Sequence, residues 1–247
     1  MSGQAANTLL HDGHAWKHFS RTAPAATRRA IAAAASEGAT LFVHASFAFV
    51  HAQERGTVLP EPLRSLAQAI LAREAEVLAG PVPACVVRLG YLYGPHSADL
   101  RAYRGAFRLG RPYWAGPPDA PQYHLHQLDA VSALLAAARA RNAGRTFHAT
   151  DGHPLPFAGM MDAFAHRVGR ADPRHLPLWL APVVGWLVRE EHRQQVALPM
   201  PAGSLAPGIP GWAPKFANTR QGLDQVLADW ASESGERGRK AGAGRRP

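Results

Sequence analysis

A few polar side chains of this 247-residue chain stand at spacings that could support chemistry. Ser46 lies in an apolar run with His44, and His126 precedes Asp129 by one helical turn. Serine, histidine and aspartate are the parts of a hydrolase triad, but no Gly-x-Ser-x-Gly turn presents Ser46 as a nucleophile. The sequence therefore does not favour a hydrolase.

Thirteen histidines raise the question of a metal site. His14 and His18 are spaced to share a helix face, and His124 and His126 share one side of an extended segment. Zinc needs three or four converging ligands, and no His-Glu-x-x-His motif or cysteine pair accompanies them. We expect no metal. The single cysteine, Cys85, lies in an apolar run, which indicates a buried structural thiol in a reducing cytoplasm.

The net charge of +9 is concentrated at one end of the chain. Residues 236–247 carry five basic side chains and one glutamate, which accounts for +4 of the total. This segment lacks apolar periodicity, so we expect residues 233–247 to form a disordered basic tail. The rest shows no dense basic stripe with interleaved aromatics, and no specific nucleic-acid partner is expected.

Hydropathy favours a soluble cytoplasmic protein. Apolar residues make up 47% of the chain, enough for a sizeable core. Gly, Pro, Arg or His interrupts every apolar run before it reaches the roughly 20 residues that a membrane span needs. The N-terminus has no charged segment followed by an apolar one, so no secretion signal is expected.

Helical and extended patterns alternate along the chain and predict an α/β fold. The predicted elements are a helix from Thr22 or Pro24 to Ser36, a strand at 41–50, a helix at 62–79 and a strand at 83–92. Residues 97–122 are rich in Gly, Pro and Arg and are predicted to be irregular. Asp129 is a candidate N-cap for a helix at 130–141, followed by a strand at 146–150, a helix at 158–168 and a packed helix at 176–188.

Five segments, in chain order, carry a family resemblance. They are Leu41–Val50, Val87-Arg-Leu-Gly-Tyr-Leu-Tyr-Gly-Pro95, His126-Gln-Leu-Asp129, Phe147–Gly152, and Gly211-Trp-Ala-Pro-Lys-Phe216 with Arg220–Leu223. They resemble successive landmarks of the extended short-chain dehydrogenases, the NAD-dependent epimerase/dehydratase family. The resemblance runs from about Trp16 to Trp230.

The resemblance implies an incomplete Rossmann-like parallel sheet with a small C-terminal substrate lobe. Residues 1–150 would form the partial NAD(P)-binding core, including a loop-rich insert at 97–122, and 151–232 the substrate lobe. It also implies NAD or NADP as cofactor and a small-molecule substrate. The implied site residues are Ser46 as the catalytic hydroxyl, Ala45, Leu89 and Gly90 against the cofactor, and Tyr91, Tyr93 and Arg111 against the substrate. Either tyrosine could equally be a packing residue, and Arg111 a solvated loop residue.

Two departures from the family pattern bear on function. The sequence has no strand followed by Gly-x-x-Gly-x-x-Gly, the segment that receives the pyrophosphate, so we expect weak cofactor binding and an N-terminally truncated chain. The catalytic Tyr-x-x-x-Lys pair is absent as well. Aligning Glu74 with the acidic residue that follows this pair places Leu66 and Ile70 at its positions. Aligning Glu76 instead places Gln68 and Ala72 there.

Two functions remain open at this point. The first is an NAD(P)-dependent epimerase/dehydratase-like oxidoreductase acting on a nucleotide sugar or a small carbonyl or hydroxyl compound, impaired as the chain stands. The second is a non-catalytic binding or regulatory protein on the same fold. Under either hypothesis the helices at 22–36 and 62–79 correspond to those that pair in family dimers, so a homodimer is expected.

Overall fold

The chain folds as helices that alternate with parallel strands. The computed structural model describes residues 13–118, 120–139, 142–170, 173–180, 183, 205 and 208–243. Its first half contains α1 (Gly13–Ser36), β1 (Phe42–Phe47), α2 (Val50–Glu54), α3 (Leu63–Leu78), β2 (Ala84–Leu89) and β3 (Tyr91–Tyr93). Its second half contains α4 (Ala98–Arg108), β4 (Pro121–Gln122), β5 (His124–His126), α5 (Gln127–Arg139), β6 (Thr146–Ala149), β7 (Leu155–Pro156), α6 (Phe157–Arg167), a 3-10 turn (Leu178–Leu180) and α7 (Thr219–Ala243).

The central sheet is parallel, with strand order β1-β2-β6. Each strand comes from an apolar run of the kind that fits a strand covered on both faces. The helix α3 connects β1 to β2, as the right-handed crossover rule anticipates for neighbouring parallel strands. This arrangement confirms the predicted α/β class with a Rossmann-like parallel sheet.

The two faces of this sheet differ in chemistry. One face carries Cys85, Val87 and Phe147, which pack in an apolar cluster against the alanines of α5. The opposite face carries Ser46, Arg88 and His148 in adjacent registered positions across the three strands, with α2 and α3 supplying the residues that meet them. Cys85 is buried and free, as expected for a structural thiol.

Several predicted boundaries in the first half are corrected by the structure. The first helix begins at Gly13, not at Thr22 or Pro24, so Pro24 lies within the helix although proline usually marks a start there. The strand predicted at 41–50 ends at Phe47. Val50, the last residue of the predicted strand, instead begins the short helix α2. The run at 83–92 is divided at Gly90 into β2 and β3, which belong to different sheets.

The segment at 97–122 is not irregular as predicted, because it contains the helix α4. Ser97 caps this helix by accepting a hydrogen bond from the Leu100 amide, and the amphipathic pattern buries Leu100 and Phe107. The Arg and Gly content of the segment concealed this apolar face. Asp129 is also not an N-cap, since α5 already begins at Gln127.

The C-terminal region differs from its prediction at two places. The strand at 146–150 and the helix at 158–168 are found within one residue of their expected bounds, and Gly169 ends the helix with a positive φ of 81°. Of the helix predicted at 176–188, the structure describes the 3-10 turn, with Trp179 74% exposed, and Val183; the remainder lies outside the described residues. The helix α7 continues to Ala243, so residues 233–243 are helical where a disordered tail was predicted.

Two buried carboxylates attach the C-terminal segment to the rest of the fold. Asp129 accepts hydrogen bonds from the amides of Lys215 (2.7 Å) and Phe216 (3.1 Å). Asp151 accepts one from the Thr219 hydroxyl at 2.9 Å. Behind this attachment, α7 packs Leu223, Val226 and Trp230 into the larger apolar cluster. Within the described residues, no helix is long and apolar enough to cross a membrane.

A pair of glycine substitutions tests how closely α7 packs. A Cβ at Gly222 would lie 1.9 Å from the Tyr93 hydroxyl, whereas a Cβ at Gly105 in α4 would have no heavy atom within 4 Å. We expect Gly222→Ala to destabilise the fold by about 1–3 kcal/mol through overpacking. Gly105→Ala should instead stabilise it by up to about 1 kcal/mol through helix propensity. Urea denaturation measures both; equal effects would contradict the close packing of α7 on Tyr93.

Candidate active site

The most densely charged part of the described fold is a buried cluster built around Arg88. Its guanidinium receives two carboxylates: Nε lies 3.0 and 3.1 Å from the Glu74 oxygens, and Nη2 lies 2.7 Å from Glu54 Oε1. Further short contacts join Nη1 to Glu54 and Nη2 to Glu74. Arg88 and Glu74 are almost fully buried, while the Glu54 side chain is 40% exposed. Glu54 therefore links the interior of the cluster to solvent.

Mutual compensation of charge keeps this cluster ionised. Burial alone would lower the pKa of Arg88, but its hydrogen bonds to Glu54 and Glu74 and their negative charges outweigh burial and raise it. The Arg88 hydrogen bond in turn lowers the pKa of Glu54. Arg73, the neighbour of Glu74 in α3, is also buried and brings a second cation to this face. Arg88 thus tethers β2 to α2 and α3.

Ser46, the predicted catalytic hydroxyl, is part of the same cluster. Its Oγ donates to Glu74 Oε1 at 2.5 Å, and the residue is 4% exposed. It therefore faces α3 and not a solvent-filled cleft. The hydrolase alternative gains no support, because Asp129 binds main-chain amides on the other side of the sheet and does not meet Ser46.

The orientation of α3 decides which of the two alignments gives the positions of the missing Tyr-x-x-x-Lys pair. Glu74 faces the sheet, and Ile70 and Leu66 lie one and two turns before it on the same buried side, with 2% and 8% exposure. Gln68 and Ala72, the positions of the other alignment, are exposed on the outer side of α3. The positions that point toward the site are therefore apolar and belong to the core. Neither a phenol nor an ammonium group is present there.

The predicted cofactor-binding residues lie at the ends of β1 and β2. Ala45 is half-buried at the margin of the apolar cluster under α5, and Leu89 is buried in that cluster. Gly90 is required by packing, since a Cβ there would lie 2.8 Å from the Tyr123 carbonyl oxygen. These residues can offer a nicotinamide cofactor an apolar surface but no side-chain hydrogen bond. The buried Leu66 and Ile70 offer no group to hold its ribose.

The predicted substrate-binding residues have separate environments. Tyr91 is 8% exposed, and its hydroxyl is 3.5 Å from Asp99 Oδ2 at the start of α4. Tyr93 is 1% exposed, and its hydroxyl lies 3.5 Å from the Thr219 carbonyl oxygen, which favours the packing interpretation. Arg111 is exposed on the loop after α4. The structure does not bring the three together as one group.

Buried histidines surround these positions. His148 is 6% exposed, its ring contacts that of His51 at 4.8 Å, and burial, with the Arg88 charge second, lowers its pKa to about 4. His124 is fully buried beside Tyr91, and burial lowers its pKa to about 3. Both rings are therefore neutral at pH 7. Within the described ranges, no three His, Cys, Asp or Glu side chains form a metal-binding group.

Sequence analysis missed two polar groups. The carboxylates Glu54 and Glu74 were not identified as partners of Arg88, although a buried arginine in an apolar run signals that counter-charges must lie nearby. On the loop after α4, the Tyr113 hydroxyl meets Asp162 at 2.9 Å and His175 at 3.0 Å. No spacing in the sequence signals this second group.

Comparison with known proteins agrees with this geometry. No family model matches the chain. It is 30% identical over 235 residues to a 3-diazoavenalumate denitrifying reductase from a Streptomyces species, covering 87% of this chain and 75% of the relative. A structure of a functionally unknown conserved protein from Silicibacter pomeroyi superposes with a TM-score of 0.63 at 21% identity, covering 83% of this chain and 72% of that one. The human epimerase family protein SDR39U1, solved with NADPH, gives 0.56 at 17% identity, covering 76% and 65%.

The parallel sheet and the helical crossover between its first two strands define a Rossmann-like fold. The chain belongs to the NAD(P)-dependent epimerase/dehydratase family of extended short-chain dehydrogenases.

Matched substitutions at the two glutamates test the Arg88 cluster. We expect Glu74→Gln to destabilise the fold by about 3 kcal/mol, because it removes a buried partner and leaves cationic charge poorly compensated. Glu54→Gln should cost about 1 kcal/mol or less, since that side chain is 40% exposed and solvent screens its charge. Urea unfolding of both variants at pH 7 measures the difference. Similar losses would mean that Arg88 does not depend on its buried partner.

The buried histidines predict a loss of stability in acid. Because the folded pKa of His124, about 3, lies below its ordinary value, the unfolded chain takes up the proton first as pH falls. Stability is therefore complete above about pH 6.5 and declines toward pH 3, by up to about 1.4 kcal/mol per pH unit for each such group. Denaturation between pH 7.5 and 4 should show a smaller decline for His124→Phe. The exposed His96→Phe control should follow the wild type; a His124→Phe slope equal to that of the wild type would refute the assignment.

Proposed function

We propose that this chain is an NAD(P)-dependent oxidoreductase of the reductase type, acting on a small molecule and lacking the family's Tyr–Lys acid. Its family membership supports this reaction class, and NADPH is bound in the related human epimerase-family structure. A nicotinamide cofactor, when bound, supplies the hydride. Ligands of open α/β sheets bind outside the carboxyl ends of the strands, and we place the proposed site there.

Three residues would form the cofactor side of this site. Ala45, Leu89 and Gly90 provide an apolar wall at the ends of β1 and β2. Ser46 contributes by holding Glu74, and thereby Arg88, in place. Because α3 has no polar side chain at the positions that would bind the cofactor ribose, binding of NAD or NADP is expected to be weak. On the substrate side, Tyr91 and the exposed Arg111 remain the candidates.

The observation that carries this proposal is the burial of Leu66 and Ile70 at the positions of the missing pair. Reduction of a carbonyl, or oxidation of a hydroxyl, needs a proton exchanged at oxygen by a positioned acid or base. An acceptor that loses nitrogen, as in the reaction named for the Streptomyces relative, makes no such demand on these positions. We therefore favour a denitrifying reduction over the nucleotide-sugar chemistry implied by the sequence.

A non-catalytic binding or regulatory protein is the second candidate. It is favoured by the closed environment of Ser46, whose hydroxyl is already bonded to a buried carboxylate. A cytoplasmic location and a homodimer through the helices at 22–36 and 62–79 are compatible with either function. The family resemblance is the basis on which we propose the homodimer.

Cofactor titration is the first test. Calorimetry with the full chain should give a dissociation constant for NADPH of about 1 mM or weaker, corresponding to about −4 kcal/mol or less. The missing ribose contacts at positions 66 and 70 are the reason. Submillimolar binding would contradict this account of the site, and a heat-denatured sample controls for non-specific heats.

Turnover distinguishes the two functions. With NADPH at several times about 1 mM, we expect nitrogen release from an aryl diazo acid above the protein-free rate, and no reaction with UDP-glucose. Tyr91→Phe should lower this turnover if Tyr91 meets the substrate, whereas the buried control Tyr93→Phe should not. A folded chain inactive with both acceptors would support the binding protein. Turnover of the nucleotide sugar alone would overturn the choice of substrate.

A further inference from the structure

The helix α5 carries its large apolar side chains on the side that faces away from the sheet. The buried alanines that pack against the sheet are Ala130, Ala133 and Ala137. On the outer side, Leu128, Val131 and Leu135 are 51%, 56% and 52% exposed. A helix at the surface of a globular protein normally has the reverse pattern, with polar residues outward. The sequence of α5 is therefore typical of a helix that is covered on both sides.

The three exposed residues form one continuous stripe, which we call the outer stripe of α5. Spacings of three and four residues place successive side chains on the same helix face, about one turn apart. From Leu128 to Leu135 the stripe extends about 10 Å along the helix axis. Its neighbours Ser132 and Ala138 are small and exposed, so a second helix can approach the stripe closely.

The charge pattern of α5 restricts the kind of partner that fits the outer stripe. The helix has two charged residues, Asp129, which is buried and binds main-chain amides, and Arg139 in its last turn. Residues 130–138 between them are uncharged. A membrane surface or a nucleic acid would be recognised by lysine and arginine side chains beside the apolar ones. The outer stripe therefore fits an uncharged apolar surface, as another helix with the same pattern provides.

We propose that the partner is α5 of a second copy of this chain, packed antiparallel about a two-fold axis at Val131. Val131 then faces its counterpart, and Leu128 of each copy faces Leu135 of the other, because these leucines lie three and four residues from Val131. The outer stripe is thus complementary to itself, as a two-fold interface requires. The antiparallel direction also brings opposite ends of the two helix dipoles together. This association is independent of the enzymatic function proposed above.

Trp212 extends the apolar surface beside the outer stripe. Its indole N–H donates to the Ser132 hydroxyl at 2.9 Å, which holds the ring against α5. One helix with one flanking aromatic ring buries less than the roughly 1,600 Å² of a standard protein–protein interface. We therefore expect a weak dimer, with a dissociation constant on the order of 100 µM.

Sedimentation velocity of the full chain between about 10 and 500 µM tests for this dimer. Val131→Glu would bring two carboxylates together at the axis and should weaken association at least about ten-fold, with circular dichroism unchanged. Leu109→Glu replaces an equally exposed apolar residue just after α4 (69%) and, as the matched control, should associate like the wild type. A monomeric wild type, or a dimer that survives Val131→Glu, would overturn the proposal; the latter would favour the helices at 22–36 and 62–79 as the interface.

Disulfide trapping measures the direction of the two helices and does not depend on the charged variant. In the antiparallel pair position 128 of one copy faces position 135 of the other. A mixture of Leu128→Cys and Leu135→Cys chains, oxidised with copper phenanthroline, should therefore form a covalent dimer faster than either variant alone. Cys85 is buried and should not react. Faster trapping of either variant with itself, or equal trapping in all three samples, would contradict the antiparallel two-fold arrangement.

Discussion

The compensation of one buried guanidinium by two carboxylates organises this fold. Arg88 stands in the central strand of the sheet, where an isolated charge would be too costly to bury. Glu74 on α3 and Glu54 on α2 provide the counter-charges, and Ser46 on β1 completes the hydrogen bonding of Glu74. Two strands and two helices are thereby held by directional bonds on a face where apolar packing alone would not fix their positions.

This arrangement also explains how α3 can have a structural function where the corresponding helix of the family has a catalytic one. Leu66, Ile70 and Glu74 follow one another on a single side of the helix, toward the sheet. The first two are packed in the larger apolar cluster, and the third binds Arg88. The helix that supplies the acid in the family here supplies core packing and a structural carboxylate. That exchange is compatible with an intact fold and with a reaction that draws no proton from α3.

Local patterns were sufficient to predict the strands of the central sheet and the helices between them. The apolar runs around Val43 and Val86 and the stop at Gly38 are signals contained within a few residues. The helix α4 was missed because arginine and glycine dilute its apolar face. Asp129 was misassigned as an N-cap because its partners, Lys215 and Phe216, lie 86 and 87 residues away, a contact that no local pattern encodes. The Arg88 cluster was missed for the same reason, since Glu54 is 34 residues distant.

The contact of Tyr93 with Gly222 has a further consequence for the C-terminal helix. The phenol occupies the volume that a side chain at position 222 would need, so only a residue without a Cβ can stand opposite it. Sliding α7 by one residue would place Gln221 or Leu223 against the phenol, and rotating it would do the same with a different neighbour. The helix therefore has one permitted register against β3. Gly222 therefore fixes the axial position of α7 against β3. The apolar side chains of that helix stabilise the packing but do not select its register.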